Sequence, residues 1–246
     1  MILIDQLFKD YKGKTVVNGL SFTVPDATIT GFLGPNGAGK TTTLKAIVGL
    51  IKPTRGQVLV DGKPFRSCKT PAQTIGLLLE PNSAHRARSG RNHLLWMAQS
   101  NGISARRIDE VLELTGMSGA AGQSVGSYSL GMRQRLGIAG ALLGDPQHLI
   151  LDEPVNGLDA EGIVWLRTLL RDLASAGKGI LISSHLMGEV SQVAEKLVVI
   201  GAGVLRGEGS LEEITLGHKD LESAYFALTA GQEQFASRTT VSGGGK

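Results

Sequence analysis

Residues Gly34-Pro35-Asn36-Gly37-Ala38-Gly39-Lys40-Thr41 follow the pattern Gly-x4-Gly-Lys-Ser/Thr. Glycines let backbone N–H groups converge on one concave point with no Cβ in the way, which suits a phosphate. Lys40 is expected to reach the β- and γ-phosphates, the Thr41 hydroxyl to ligate Mg²⁺, and Thr42 to support the α- and β-phosphates. Kinases, GTPases and ATPases share such a loop, so the chemistry turns on what accompanies it. The run His148-Leu-Ile-Leu-Asp152-Glu153-Pro154 ends in two carboxylates. Asp152 can hold Mg²⁺ through water, and Glu153 can point at the attacking water as a general base. Two carboxylates with separate duties suit hydrolysis. Ser183-Ser184-His185 closes a second apolar run, which puts His185 where it can meet a γ-phosphate and orient Glu153 and water. His85, His93, His148 and His218 have no such surroundings and are assigned no role.

These residues need a scaffold that brings distant segments together. Strand-length apolar runs recur at Thr28–Leu33, Thr74–Leu79, His148–Leu151, Gly179–Ser183 and Leu197–Ile200. Helical periodicity lies between several of them, over Thr41–Leu50 and Glu161–Ala174. Continuous apolar strands alternating with amphipathic helices predict βαβ units and a parallel sheet, an α/β fold. Residues Pro81–Leu143 read differently, with helical patterns over His93–Asn101, Ile108–Thr115 and Leu130–Leu143 and no convincing strand. They read as a helical insertion. The final segment, Gly217–Lys246, is polar, with a last short helix over Leu221–Leu228 and an end expected to fray.

With 246 residues, 41% hydrophobic and 19% charged, the chain has globular proportions, and collagen, disorder and a disulfide scaffold are excluded. The net charge of +3 is too small to argue for nucleic acid. The single cysteine, Cys68, permits no internal disulfide and no Cys-based metal site; a packing role and a reducing compartment are expected. No stretch reaches the ~18–20 apolar residues of a spanning helix, so work at a membrane would need a partner. Arg86, Arg88, Arg91, Arg106 and Arg107 fall in a stretch without Asp or Glu, which reads as a solvated basic face or one near anionic headgroups.

Residues Ser127-Tyr128-Ser129-Leu130-Gly131-Met132-Arg133-Gln134-Arg135 resemble the signature of ATP-binding cassette (ABC) ATPases, usually Leu-Ser-Gly-Gly-Gln. Val155-Asn-Gly-Leu-Asp159 resembles that family's D-loop, His185 its switch histidine, and Tyr11 the aromatic that stacks on adenine. The resemblance covers about residues 2–215. It implies the P-loop NTPase fold of ABC ATPases, a mainly parallel sheet with antiparallel N-terminal strands and a helical subdomain. The ATP-binding core would comprise residues 1–80 and 146–216, the signature subdomain 81–145, and the C-terminal helix and tail 217–246. It also implies two cassettes, alike or paralogous, closing head to tail on two ATP with Mg²⁺. Ser129, Gly131 and Asp159 would then meet nucleotide across the interface, and the helical insert would act on a separate multi-span permease at the cytoplasmic face of the membrane. Leu130 and Met132 depart from the usual signature, and Glu80 stands where the family's Q-loop usually has Gln, from which it would approach the metal. An acidic residue there resembles the lantibiotic, bacitracin and daunorubicin-type resistance exporters, which points to efflux of a peptide or amphipathic drug and to no nucleic-acid partner. The alternative is a non-transport ABC ATPase acting on nucleic acid or the ribosome.

Overall fold

A continuous apolar strand is satisfied only inside a sheet covered on both faces, and that requirement organises this chain. The computed structural model describes residues 1–80 and 84–230. Its strands are β1 (Ile2–Tyr11), β2 (Lys14–Val24), β3 (Ile29–Leu33), β4 (Arg55–Val60), β5 (Ile75–Leu78), β6 (His148–Asp152), β7 (Gly179–Ser184), β8 (Lys196–Gly201) and β9 (Val204–Ser210). The longer helices are α1 (Lys40–Ile47), then, after the single-turn α2 (Pro71–Thr74), α3 (Gly90–Ser100), α4 (Arg106–Leu114), α5 (Leu130–Leu142) and α6 (Ala160–Ser175). The short α7 (Met187–Val190) and α8 (Leu211–Thr215) precede α9 (Leu221–Thr229). The fraying expected beyond α9 lies outside the described residues.

The main sheet has the order β5-β6-β7-β3-β8-β9, parallel except for β9, which runs antiparallel to β8. Every residue of β3 and β7 is buried. A second, antiparallel sheet, β2-β1-β4, covers one face. Side chains alternate between the faces of a strand. In β6, Ile150 therefore joins Ile4, Phe22, Phe32 and Leu44 in the core containing the second sheet's apolar residues, while Leu149 and Leu151 join the opposite core with Leu94, Ile108 and Leu136. That second core continues into α3, α4 and α5, so the helical segment is welded to the sheet. Among the described residues from 84 to 143 there is no strand.

The basic stretch is less of a free positive face than its composition suggests. Arg91 pairs with Asp109, Arg106 and Arg107 pair with Glu110, and the Arg88 guanidinium lies 5.4 Å from the Trp96 ring centroid. Helical folding returns acids from farther along the chain to these arginines, which a linear count misses. Cys68 is half-buried and free. No helix among the described residues is long and apolar enough to cross a membrane.

Candidate active site

The strand order does the positioning. β6, β7 and β3 are adjacent and parallel, so the loops at their C-terminal ends emerge side by side, where ligands of open α/β sheets bind. After β3 the chain turns through Gly37 (φ 81°) and Gly39 (φ 102°), a left-handed backbone that side chains resist. Gly34 is required for packing: a Cβ there would lie 2.7 Å from the Ile200 carbonyl oxygen. Thr43 N donates to Gly39 O at 2.8 Å, the first helical bond of α1. The N–H groups of Lys40, Thr41 and Thr42 precede it, at the positive end of the helix. Lys40 is buried and folds back over the loop, its Nζ donating to Gly34 O at 2.5 Å. Burial pushes the Lys40 pKa below its ordinary value, and the charges of Glu153 and Asp152 only partly offset this.

Asp152 ends β6 and accepts a hydrogen bond from Thr41 Oγ1 at 2.9 Å. Its other oxygen accepts from the Ser183 hydroxyl, because Asp152 and Ser183 are paired in the parallel register of β6 and β7. Glu153 follows with φ 50°, an uncommon backbone for a residue with a side chain. Its N–H donates to Ser183 O at 3.1 Å, and its carboxylate meets His185 Nδ1 at 2.7 Å. One cavity is lined by Pro35, Asn36, Gly37, Gly39, Lys40, Thr41, Thr42, Asp152 and Glu153, together with Val16 from β2. It combines backbone donors and an ammonium for an anion, a hydroxyl and a carboxylate for a cation, and a separate carboxylate, Glu153, that can take a proton; His185, which holds that carboxylate, does not itself line the cavity.

Ala38 is buried beneath the loop, and its N–H closes the turn onto Pro35 O at 3.1 Å. Tyr11, Glu80, Ser129, Gly131 and Asp159 do not line this cavity. Tyr11 is 45% exposed at the end of β1, its ring 4.8 Å from the Lys9 ammonium. Glu80 is exposed beyond β5, beside residues 81–83, which lie outside the described residues. Ser129 caps α5, its Oγ accepting from Met132 N at 3.1 Å; Asp159 caps α6, accepting from Gly162 N at 2.8 Å. Both caps are exposed at helix N-termini. Leu130 lies over Gly157 of the D-loop-like turn, where a Cβ would come within 2.3 Å of Leu130 Cγ.

Three residues here escaped motif reasoning. Ser183 was recoverable from strand pairing, since it faces Asp152. Gln134, fully buried, reaches the turn after β6, a contact no local pattern announces. His148, assigned no role, is also fully buried, its Nε2 3.0 Å from Asp61 Oδ1; the Met1 ammonium bonds both Asp61 (2.7 Å) and Asp26 (2.6 Å). This cluster joins the start of β6 to the second sheet. Desolvation alone would raise the Asp61 carboxyl, but hydrogen bonds from the Met1 ammonium and His148 outweigh it and hold the pKa below the ordinary 3.8.

Residues 17–156 match the ABC transporter family. The chain is 42% identical over 200 residues to the ABC transporter ATP-binding protein YhcH of Bacillus subtilis, which covers 80% of this chain and 66% of that one, just under two thirds. It is 42% identical over 221 residues to the bacitracin transport ATP-binding protein BcrA of Bacillus licheniformis, covering 89% of this chain and 71% of BcrA. A solved ATP-binding subunit of an ABC transporter superposes with TM-score 0.84 at 26% identity, covering 93% of this chain and 99% of the other. These findings do not favour the nucleic-acid alternative. With the P-loop, paired carboxylates and histidine converging on one cleft, the chain belongs to the ABC transporter family as an ATP-binding and ATP-hydrolysing subunit.

Proposed function

We propose that this subunit closes on a second cassette around two ATP with Mg²⁺ and drives export of an amphipathic peptide or drug through a separate multi-span membrane permease. The cassette would then sit as a peripheral subunit on the cytoplasmic face. The observation that carries the catalytic reading is the convergence of two polar pairs on one cleft, Thr41–Asp152 at 2.9 Å and Glu153–His185 at 2.7 Å. The hydroxyl and carboxylate oxygens of Thr41 and Asp152 fit a hard divalent cation. When bound, Mg²⁺ would neutralise charge developing on the phosphates. Lys40 and the N–H groups of the P-loop and first turn of α1 hold the β- and γ-phosphates. Asn36, Gly37 and Gly39 line the cradle, while Gly34, Pro35 and Ala38 give it shape. Glu153 takes the proton of the attacking water, and His185 holds its carboxylate in place. Tyr11 serves the base of the nucleotide, with Val16 beside the phosphates. Ser129, Gly131 and Asp159 of one copy face the nucleotide of the other; the exposure of Ser129 and Asp159 at helix N-termini, and the place of all three outside the cavity of their own chain, support that assignment. Glu80 approaches the metal from the end of β5. The bacitracin transport relative supports the cargo class.

The test is Glu153→Gln. Hydrolysis should fall by ~10²–10⁴-fold, the usual worth of a positioned base, with ATP binding retained and an ATP-bound dimer accumulating. Purified from its own membranes with ATP and Mg²⁺, the variant should bring a multi-span protein with it. Parental hydrolysis would refute the base assignment, and a dimer without a membrane protein would refute the transport assignment.

A further inference from the structure

The signature helix α5 grips the segment that carries the general base. Gln134, one turn into α5, is fully buried, a costly place for an amide. Its Nε2 donates to Pro154 O at 2.8 Å and reaches Glu153 O at 3.4 Å. Both targets are carbonyl oxygens, so only the NH₂ end of the amide can serve them. Among the described residues its Oε1 has no hydrogen-bond partner, so the side chain is spent on this one contact. The contact falls where the backbone needs support, because Glu153 sits at φ 50°. Farther along the same turn, Leu130 covers Gly157, and a Cβ on Gly131 would lie 2.9 Å from Gly157 O. One end of α5 thus bears the exposed signature, while the buried face of its first turns fixes the turn 153–157.

We propose that Gln134 is a positioning residue for Glu153, tying the aim of the general base to the placement of the signature helix. The inference rests on the assignment of Glu153 as base. It makes hydrolysis sensitive to where α5 stands, so that a cassette whose signature is displaced also carries a misdirected base.

The experiment uses the purified full chain, with ATPase rate, nucleotide affinity and thermal midpoint measured for Gln134→Met and Gln134→Glu. Met keeps the length but cannot donate. Its kcat should fall ~10–100-fold, the cost of a misplacement near 1 Å, while KM and nucleotide affinity stay within about twofold. Glu can donate to Pro154 O only when its carboxyl is protonated, and burial favours that form. The ratio of its kcat to the parent's should therefore rise as pH falls from 8 to 6, while the ratio for Met stays flat. Parental kcat in Gln134→Met overturns the proposal. Equal, pH-independent losses in both variants, or a matching loss of nucleotide affinity, assign Gln134 to packing and also overturn it. If Met prevents folding, the pH profile of Gln134→Glu decides alone. Glu153→Gln separates the two readings: if it hydrolyses normally the base assignment fails, whereas its loss beside an active Gln134→Met sinks only the positioning role.

Discussion

Gly157→Ala measures the grip of Leu130 on the D-loop-like turn. Gly157 has φ 80°, and a Cβ there would stand 2.3 Å from Leu130 Cγ and 2.5 Å from Cδ2. The left-handed backbone costs an alanine about 1–2 kcal/mol. Leu130 is 44% exposed, so it can swing into solvent without prising α5 from the sheet. That move forfeits its contact with the turn, on the order of 1 kcal/mol, the low end for overpacking. The sum is about 2–3 kcal/mol, or roughly 4–12 °C in melting temperature for a chain of this size. Gly177→Ala supplies the control, because Gly177 has φ 93° but nothing within 4 Å of an added Cβ. It should show the backbone cost alone. Combining Gly157→Ala with Leu130→Ala should recover about 1 kcal/mol, the steric part. Thermal and urea unfolding of the four variants and parent measure these differences. Equal losses at positions 157 and 177, or no recovery in the Leu130→Ala background, would refute the contact.

Two further outcomes follow from the charged groups. Lys40→Ala should weaken ATP binding ~10–100-fold by removing the buried ammonium from the phosphate cradle, as read by titration with a fluorescent nucleotide; unchanged affinity would contradict its assignment. Asp61→Asn should destabilise the chain at neutral pH. Because the Asp61 pKa is depressed in the folded state, its contribution is present above the ordinary 3.8 and lost as pH falls through the lower folded value, so parent and variant should converge in urea unfolding at acid pH.

The central sheet was legible because β3, β5, β6, β7 and β8 are continuous apolar runs, the mark of strands covered on both faces. The P-loop, Asp152, Glu153 and His185 were legible because each directly follows or ends such a run. Other strands carry weaker marks. In β4 only Val60 is fully buried, and in β9 no residue is, so neither shows a continuous apolar run; the family resemblance implied antiparallel N-terminal strands without their bounds, and β9 was not anticipated. Contacts between segments were also out of reach. His148 meets Asp61 across 87 positions, and Gln134 meets Pro154 across 20, with nothing local in either sequence to announce the contact. The pairing within the basic stretch was out of reach because Asp109 and Glu110, which pair with its arginines, lie just past its end.

The position of β3 sets a timetable for synthesis. The P-loop strand is flanked by β7 and β8, whose paired residues lie about 150–165 positions later in the chain. At ~5–20 residues per second, a ribosome needs on the order of 10–30 s after making Leu33 to deliver Val199, its last sheet neighbour. Until Ser184 is made, this fully buried strand has neither hydrogen-bonding edge occupied, and until Val199 is made it has at most one. For much of its synthesis the nascent polypeptide therefore carries a core-forming strand with open edges, the kind of surface that invites aggregation until its partners arrive.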